Sequence, residues 1–497
     1  MKRKIFNIGC IGVLLMMSTL SACKKRLDSL APHNVNFENQ QFGSPNGYTK
    51  ATIGNYTALY TSYETPWFNI SEYRGNNVKV IDVTSASSAI DLQNTDAFKY
   101  NNSESKDFGL SDAFWFASYK ALLGVNVVLK NVSATETNNV ILQAKAENLF
   151  LRAFINFNLL RVYGRPYYQS PATNLGIPII IAPLDLTATP PARASVQASY
   201  DQVIADLNQS IATFKSKGVN SFASKYGAFA LLSRVYLYMS GTFDQPNANY
   251  ARLSAQAADS VIVNGGYRLL QGTAYSNYYA ASNQLNTETI WAVNHEASTS
   301  NLPILLMQPQ GTYVGLYTTG QIKPSPDLLG KLAATDLRKS FYFTDLYPGN
   351  ATDVLSTNKY SYRFFNGVNG VYYSYAAFNH LRLAEVYLNR AEARLKAGDT
   401  GGALADLNVI HTRAGLTALV GLSGQALFDA ILLERRLELA FEGHNSYDYF
   451  RNGLPMVRNY SSFNSPPLTV NPTDAKVVMR ISQLVLTENP NIIQNQQ

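Results

Sequence analysis

The sequence predicts a mainly α fold: stacked helical hairpins forming an α–α superhelix, interrupted by an irregular, loop-rich insertion that carries short strands. Three observations predict it. Residues 381–416 hold two amphipathic runs, with apolar positions at Ala384, Tyr387 or Leu388, Ala391 and Leu395, then at Ala403, Leu407, Ile410 and Ala414. That is the i, i+3/4, i+7 spacing of a helix with one buried face. Gly398-Asp399 separates the runs: Gly suits the left-handed residue that ends a helix, and Asp399 or Thr400 suits the cap of the next. Residues 226–239 and 250–262 repeat the arrangement, the second run carrying Ala251, Ala255, Ala258 and Ile262. Finally, residues 144–163 are apolar on most sides, as a buried central helix requires.

Taken from the N-terminus, Lys2, Arg3 and Lys4 precede a 13-residue, mostly apolar run at 8–20, too short to span a bilayer comfortably. The run ends in Leu20-Ser21-Ala22-Cys23, small residues before a cysteine, which looks like a bacterial lipobox. Residues 1–22 are therefore read as a signal peptide, with Cys23 as the lipidated first residue of the mature chain. Lipid contributes about 0.8 kcal/mol per buried CH₂, so several chains make a firm anchor. Cleavage removes three cations from the formal +7, leaving about +4. It also removes Cys10, and with Cys23 acylated no disulfide is available. Residues 23–46 are polar, with Pro32, Gly43 and Pro45, and read as a tether.

An N-terminal region, 47–215, begins with a helix at 48–63 that Pro66 should stop. Residues 67–88 read as irregular. Helices follow at 112–132 and 144–163, the latter ended by Gly164 and Pro166. A short apolar run at 176–181, the Pro190-Pro191 break and a helix at 196–211 complete the region. A C-terminal region, 216–497, holds the two hairpins, a last helix at 427–442 and a loose tail. Its insertion, 264–379, contains a strand-like stretch at 289–293 and a Gly/Pro/Gln-rich run at 302–323. Tyr360, Tyr362 and Phe364 alternate, and the turn 366–370 leads into 371–373, as in a β-hairpin.

Ala391…Gly398…Ala403-x-x-x-Leu407 resembles a tetratricopeptide repeat, with Arg394 where that repeat usually carries Tyr. A longer series of blocks resembles the SusD/RagB family of outer-membrane lipoproteins. In order they are Cys23 with Leu27-Asp28; Trp115-x-x-x-Tyr119 with Asn126; Glu147…Phe150-Leu151-Arg152-Ala153…Phe157…Arg161-Val162-Tyr163-Gly164-x-Pro166; and Gly176-Ile177-Pro178. Arg193-Ala194-Ser195-Val196…Tyr200…Asp206-Leu207 follows, then Leu381-Arg382-Leu383-Ala384-Glu385…Leu388…Ala391-Glu392-Ala393. The last is Glu434-Arg435-Arg436-x-Glu438-Leu439-x-Phe441-Glu442-Gly443-His444…Asp448…Arg451-x-Gly453. The resemblance implies tetratricopeptide-like hairpins with the insertion packed on them. It also implies a surface lipoprotein of the cell outer membrane, facing outward, that caps a TonB-dependent SusC-like transporter. Such proteins bind oligosaccharide, or in some members peptide, and carry no catalytic residues. Two departures stand out. Lys24-Lys25-Arg26 replaces the acidic residues that favour surface export, and Trp is scarce, so a starch ligand is not implied.

Charged residues are 15% of the chain, while Tyr (32) far outnumbers Trp (3), which fits a binder of uncharged polar ligands better than a nucleic-acid binder. A sugar offers apolar CH faces and hydroxyls, so its site needs flat rings beside amide and Arg donors. Trp67, Tyr73, Arg74, Asn76 and Asn77 supply that mixture in one stretch, and Tyr313 and Tyr317 offer a second platform. Trp115 and Trp291 lie in regular patterns and read as core. The five histidines show no metal spacing, no cofactor motif is present, and Glu434, Glu438 and Glu442 at i, i+4, i+8 read as a salt-bridged helix end. A lipid-anchored glycoside hydrolase using two such carboxylates is the alternative of a different class. A purely structural lid for the transporter is the third.

Overall fold

The computed structural model describes residues 38–80, 92–101, 109–183, 189–280, 286–293, 322–345, 354–357, 359, 363–366, 371–374, 378–462 and 465–495. Cys23, Tyr313 and Tyr317 lie outside them. Residues up to 48 group apart from residues 49–497. In the first unit Glu38–Gln41 forms one helical turn, the Gln41 amide donates to the Gly47 carbonyl at 2.7 Å, and the Phe42 and Tyr48 rings meet edge-on at 4.9 Å.

The second unit is built of helices, as expected. Those of seven or more residues are, in order, α1 (Pro45–Ala58, which begins in the first unit), α2 (Glu64–Tyr73), α3 (Leu92–Lys99), α4 (Leu110–Asn131), α5 (Asn139–Tyr163) and α6 (Val196–Thr213). Then come α7 (Lys225–Met239), α8 (Ala248–Asn264), α9 (Leu383–Lys396), α10 (Thr400–Arg413), α11 (Gly424–Glu438) and α12 (Asn445–Arg451). Side-chain caps set many of the starts. Asn138, Ser195, Ser224, Asn247 and Asp399 each accept a backbone N–H from the first turn of α5, α6, α7, α8 and α10.

The hairpin of α9 and α10 forms where the periodicity placed it. Gly398 takes φ +92°, and Asp399 accepts from the Gly402 N–H at 2.8 Å. Ala384, Leu388, Ala391 and Leu395 pack with Ala403, Leu407 and Ile410, and α11 closes this core with Leu427, Phe428 and Ile431. Arg394, the departure from the repeat pattern, donates to Asp406 at 2.9 Å beside the Arg390–Asp406 pair, so a charge clamp replaces a ring. Every residue of α5 from 146 to 163 is buried. The main core runs from Tyr56 to Ile492 without a break at position 215. Its largest buried ring, Trp291, stands edge-on to Phe150 and Phe154 at 4.8 Å. Trp115 is buried as well.

Short antiparallel pairs occupy the insertion and its flanks. β1 (Val78–Val80) pairs with β3 (Ile322–Pro324), β2 (Thr289–Ala292) with β8 (Asn379–Arg382), and β4 (Tyr342–Asp345) with β5 (Val354–Thr357). The hairpin read at 360–373 is β6 (Arg363–Asn366) against β7 (Val371–Ser374), in register Asn366↔Val371. β9 (Met456–Arg458) pairs with β10 (Leu468–Val470) in the tail.

Two expectations fail locally. Pro66 does not stop the first helix. A π-helical turn, Leu59–Tyr63, follows α1 and hands the chain to α2, so residues 64–73, read partly as loop, are helical. Pro is tolerated in the first turn of an α segment, where its missing N–H has no bond to lose, and the π turn gives α2 such a start. The last helix ends at Glu438 rather than at 442. Phe441 (φ +65°) and Gly443 (φ +77°) take left-handed conformations that turn the chain into α12.

Candidate functional site

The polar–aromatic stretch expected to hold ligand is interior. Trp67, Tyr73, Arg74, Asn76 and Asn77 are 0–3% exposed. Trp67 stacks on Tyr447 with centroids 6.0 Å apart. The Arg74 Nη2 donates to the carbonyls of Lys476 and Val477. The backbone N–H of Asn76 donates to Asn445 Oδ1 at 2.6 Å, and Asn77 Oδ1 accepts from Arg436 Nε at 2.8 Å. The cause is the continuation of α2: a helix turns these rings onto the core, where an open loop would have shown them to solvent. The stretch fastens α2 to the tail and offers no surface to a ligand.

Glu434, Glu438 and Glu442 form a buried ion network, whose cations come from distant positions. Glu438 is held by Arg382 at 2.6 Å and Arg413 at 2.5 Å. Glu442 is held by Arg382 at 2.5 Å and Lys359 at 2.8 Å. Glu434 meets Arg338 at 2.6 Å and His411 at 2.8 Å. Burial raises the Glu438 carboxyl, but the charges of Arg413, Arg382 and Arg338 outweigh it and hold the group well below the usual carboxylate range. Glu442 is lowered in the same way by Arg382 and Lys359. Held ionised, neither Glu438 nor Glu442 is the proton donor that the acid–base pair of a hydrolase needs.

Two surface features are candidates. One is a groove of about 450 Å³ between α1, the start of α5 and the loop after α6. Half-exposed Ile53 and Val140 lie on its walls, with Gln143, Glu147 and Phe222. Glu147 accepts from Tyr56 Oη at 3.1 Å and Gln143 Nε2 at 2.9 Å, and burial pushes its carboxyl up to about 7.

The other is a tyrosine face where the α5–α6 connection meets the α7–α8 hairpin. Tyr236 on α7 and Tyr250 on α8 stack with centroids 6.1 Å apart and planes at 19°. Tyr167 stands edge-on to Tyr250 at 5.9 Å and to Tyr200 of α6 at 5.0 Å. Tyr167, Tyr236 and Tyr250 are only partly buried. Exposed Asn208 lies beside Tyr236, and exposed Asp201 lies near Tyr167. Burial, then the contact with Tyr250, raises the Tyr167 phenol, and burial raises that of Tyr236, so both hydroxyls stay protonated donors. Half-open rings fixed by one another, with an amide and a carboxylate at their rim, match the CH faces and hydroxyls of a sugar. Sequence reasoning missed this face. Its signal was the tyrosine excess of the hairpin, which reads equally as helix packing.

Under the face lies a small cavity of about 30 Å³, lined by Arg161, Arg165, Tyr167, Tyr200, Tyr238 and Tyr447 among others. Arg161 sits in a ring cage, its guanidinium 4.1 Å from the Tyr447 centroid and 4.9 Å from that of Trp67.

Comparison with known proteins bears on both fold and family. A model described as the SusD family matches residues 336–496, and one described as starch-binding associating with outer membrane matches 52–237. A SusD-like protein of Formosa agariphila is 20% identical over an alignment spanning 99% of this chain and 98% of its own length. A SusD-like protein of Bacteroides ovatus is 25% identical, covering 83% and 80%. Among solved structures, a SusD superfamily protein from Bacteroides thetaiotaomicron superposes with TM-score 0.76 at 24% identity, covering 91% of this chain and all of the other. A putative sugar binding protein from Bacteroides vulgatus gives TM-score 0.76 at 23% identity, covering 90% and 98%. The two family models fall on separate halves of the chain, and both relatives align along most of it: the chain belongs to the SusD/RagB family.

Proposed function

We propose that this protein is a glycan-binding lipoprotein of the outer membrane, anchored through Cys23, that holds oligosaccharide on the Tyr167–Tyr236–Tyr250 face and delivers it to a TonB-dependent SusC-like transporter without catalysis. The observation that carries the reading is the half-open ring face itself, braced by stacking and rimmed by Asn208 and Asp201. Family membership and a neighbour described as a putative sugar binding protein support it. The model description naming outer-membrane association supports the location. Tyr313 and Tyr317 remain proposed as a second platform.

Isothermal titration against a glycan panel tests the site. A ring contact contributes about 0.5–1.5 kcal/mol, so removing two rings in Tyr236→Ala/Tyr250→Ala should weaken binding roughly fivefold to a hundredfold. Unchanged affinity refutes the face, and release of shorter sugars refutes the non-catalytic reading. Loss of palmitate labelling in Cys23→Ser tests the anchor. Recovery of a TonB-dependent transporter with the purified protein tests the partner. The 450 Å³ groove is the competing location, favoured by its size; Phe222→Ala weakening binding while the tyrosine variants do not would move the site there.

A further inference from the structure

Three buried polar atoms on the lining of the cavity below the tyrosine face have no hydrogen-bond partner among the described residues: Arg161 Nε, Tyr238 Oη and Tyr447 Oη. Their side chains belong to residues 6%, 5% and 9% exposed. Leaving such groups unpaired is costly, and three around one cavity point to an occupant with acceptor atoms.

The charge balance says which acceptor. Arg161 Nη1 donates to Asn158 Oδ1 at 3.2 Å and Nη2 to the Gly443 carbonyl at 2.5 Å. No carboxylate pairs with it among the described residues. Arg193 and Arg458 also lack a carboxylate, but their three nitrogens are all satisfied, mostly by carbonyls. Arg74 keeps a bare Nη1 among the described residues and reaches the Val477 carbonyl at 2.9 Å, but it is not itself part of the cavity lining. Arg451, the other deep cation of the lining, is neutralised by Glu392 and Asp448. Arg165, at the half-buried rim beside Tyr167, donates to the Asp474 carbonyl at 2.8 Å. Arg161 thus contributes an uncompensated positive charge, and two phenols add neutral donors.

A cavity of about 30 Å³ has room for roughly two waters, which suits a planar carboxylate better than a bulkier sulfate. Of its lining, Arg165, Pro166 and Tyr167 are the half-buried residues and mark its outer side, Tyr167 being part of the ring face. We infer that the pocket takes the carboxylate of a uronic acid residue whose sugar ring lies against Tyr167, making the ligand an acidic glycan. The carboxylate accepts from Arg161 Nε and the Tyr238 and Tyr447 hydroxyls. This rests on the face reading of the proposed function.

The test is isothermal titration of the full-length protein in detergent. Fragments of polygalacturonate, alginate and hyaluronate are compared with the same fragments after carboxyl reduction and with sulfated galactan fragments. A charge-assisted hydrogen bond in a buried site corresponds to about ten- to a hundredfold in affinity, and a neutral one to about three- to tenfold. Arg161→Gln should therefore weaken uronate binding by the larger factor. Tyr238→Phe and Tyr447→Phe keep their rings and remove an unpaired hydroxyl, so they fold normally and should weaken it by the smaller. Carboxyl-reduced fragments should bind more weakly and respond to none of the three. Equal binding of reduced and acidic fragments, lost with Tyr236→Ala/Tyr250→Ala, overturns the carboxylate pocket and leaves the face standing. Arg161-dependent binding confined to sulfated fragments overturns the carboxylate assignment. Absence of binding by every fragment overturns pocket and face together.

Discussion

Glu72 should make the protein less stable as pH rises from about 5 to about 8. Its Oε1 accepts from the Gly443 N–H at 2.6 Å, while Oε2 is buried with no hydrogen-bond partner among the described residues. Burial raises the carboxyl from 4.5 to about 7, more than the Gly443 N–H and the Lys359 charge lower it, with Glu442 raising it further. The folded pKa lies above the unfolded one. The contribution to stability is therefore complete below the unfolded value and is lost as pH climbs to the folded value. For pKa values of 4.5 and about 7, linkage between roughly pH 5 and pH 8 removes about 2.5 kcal/mol. Glu72→Gln keeps an acceptor for Gly443 and does not titrate. Urea unfolding of both proteins, followed by tryptophan fluorescence across that range, isolates the term. His444, held neutral by burial and surrounding arginines, loses stability in the opposite direction below its usual pKa, but it does so in both proteins and cancels. The wild type should fall by about 2.5 kcal/mol relative to the variant between those limits. A difference that stays flat to within about 0.5 kcal/mol refutes the reasoning.

Other perturbations probe the frame. Gly443→Ala places a Cβ at a backbone φ of +77°, 3.1 Å from Ser71 Oγ and 3.3 Å from the Trp67 ring, and should cost about 1–3 kcal/mol in calorimetric stability. Arg413→Met strips Glu288 of its 2.7 Å partner and Glu438 of its 2.5 Å partner inside the protein, and should destabilise by about 3–5 kcal/mol; a loss under about 1 kcal/mol contradicts the network's role. Asn138→Ala removes the acceptor for the Val140 and Ile141 N–H groups at the exposed start of α5, and should lower urea stability by about 1 kcal/mol without altering glycan binding.

The hairpins were legible because burial of one helical face leaves a periodic trace, and Gly398-Asp399 carries the chemistry of both a stop and a start. The ion network was half legible. Glu434, Glu438 and Glu442 fall on one helical face or just beyond it, which shows them to be neighbours. That same alignment means their cations must come from other elements, and Arg382, Arg413, Arg338 and Lys359 are linked to them only by the fold. The binding stretch was misread for a related reason. Rings, amides and arginine describe a sugar platform and a polar core seam equally well, and the π turn before α2 decided which. Tyr167, Tyr236 and Tyr250 were unreadable as a group because three separate segments bring them together.

The same contrast separates scaffold from site. Glu288, Glu438 and Glu442 each meet at least one guanidinium or ammonium, joining β2 and β8, Lys359 of the insertion, and α10 and α11. Such a network adds little net stability over an apolar core, but misdocking the insertion would strand a buried charge, so it fixes the geometry. Arg161 is built differently. Aromatic faces at 4.1–5.7 Å offset its desolvation without cancelling its charge, and its Nε has no partner among the described residues and borders a cavity. The Gly443 backbone bridges the two arrangements, donating to Glu72 and accepting from Arg161. A guanidinium positioned from behind, screened by rings and left without a carboxylate has the form of half an ion pair. On this reasoning the missing half arrives with the ligand.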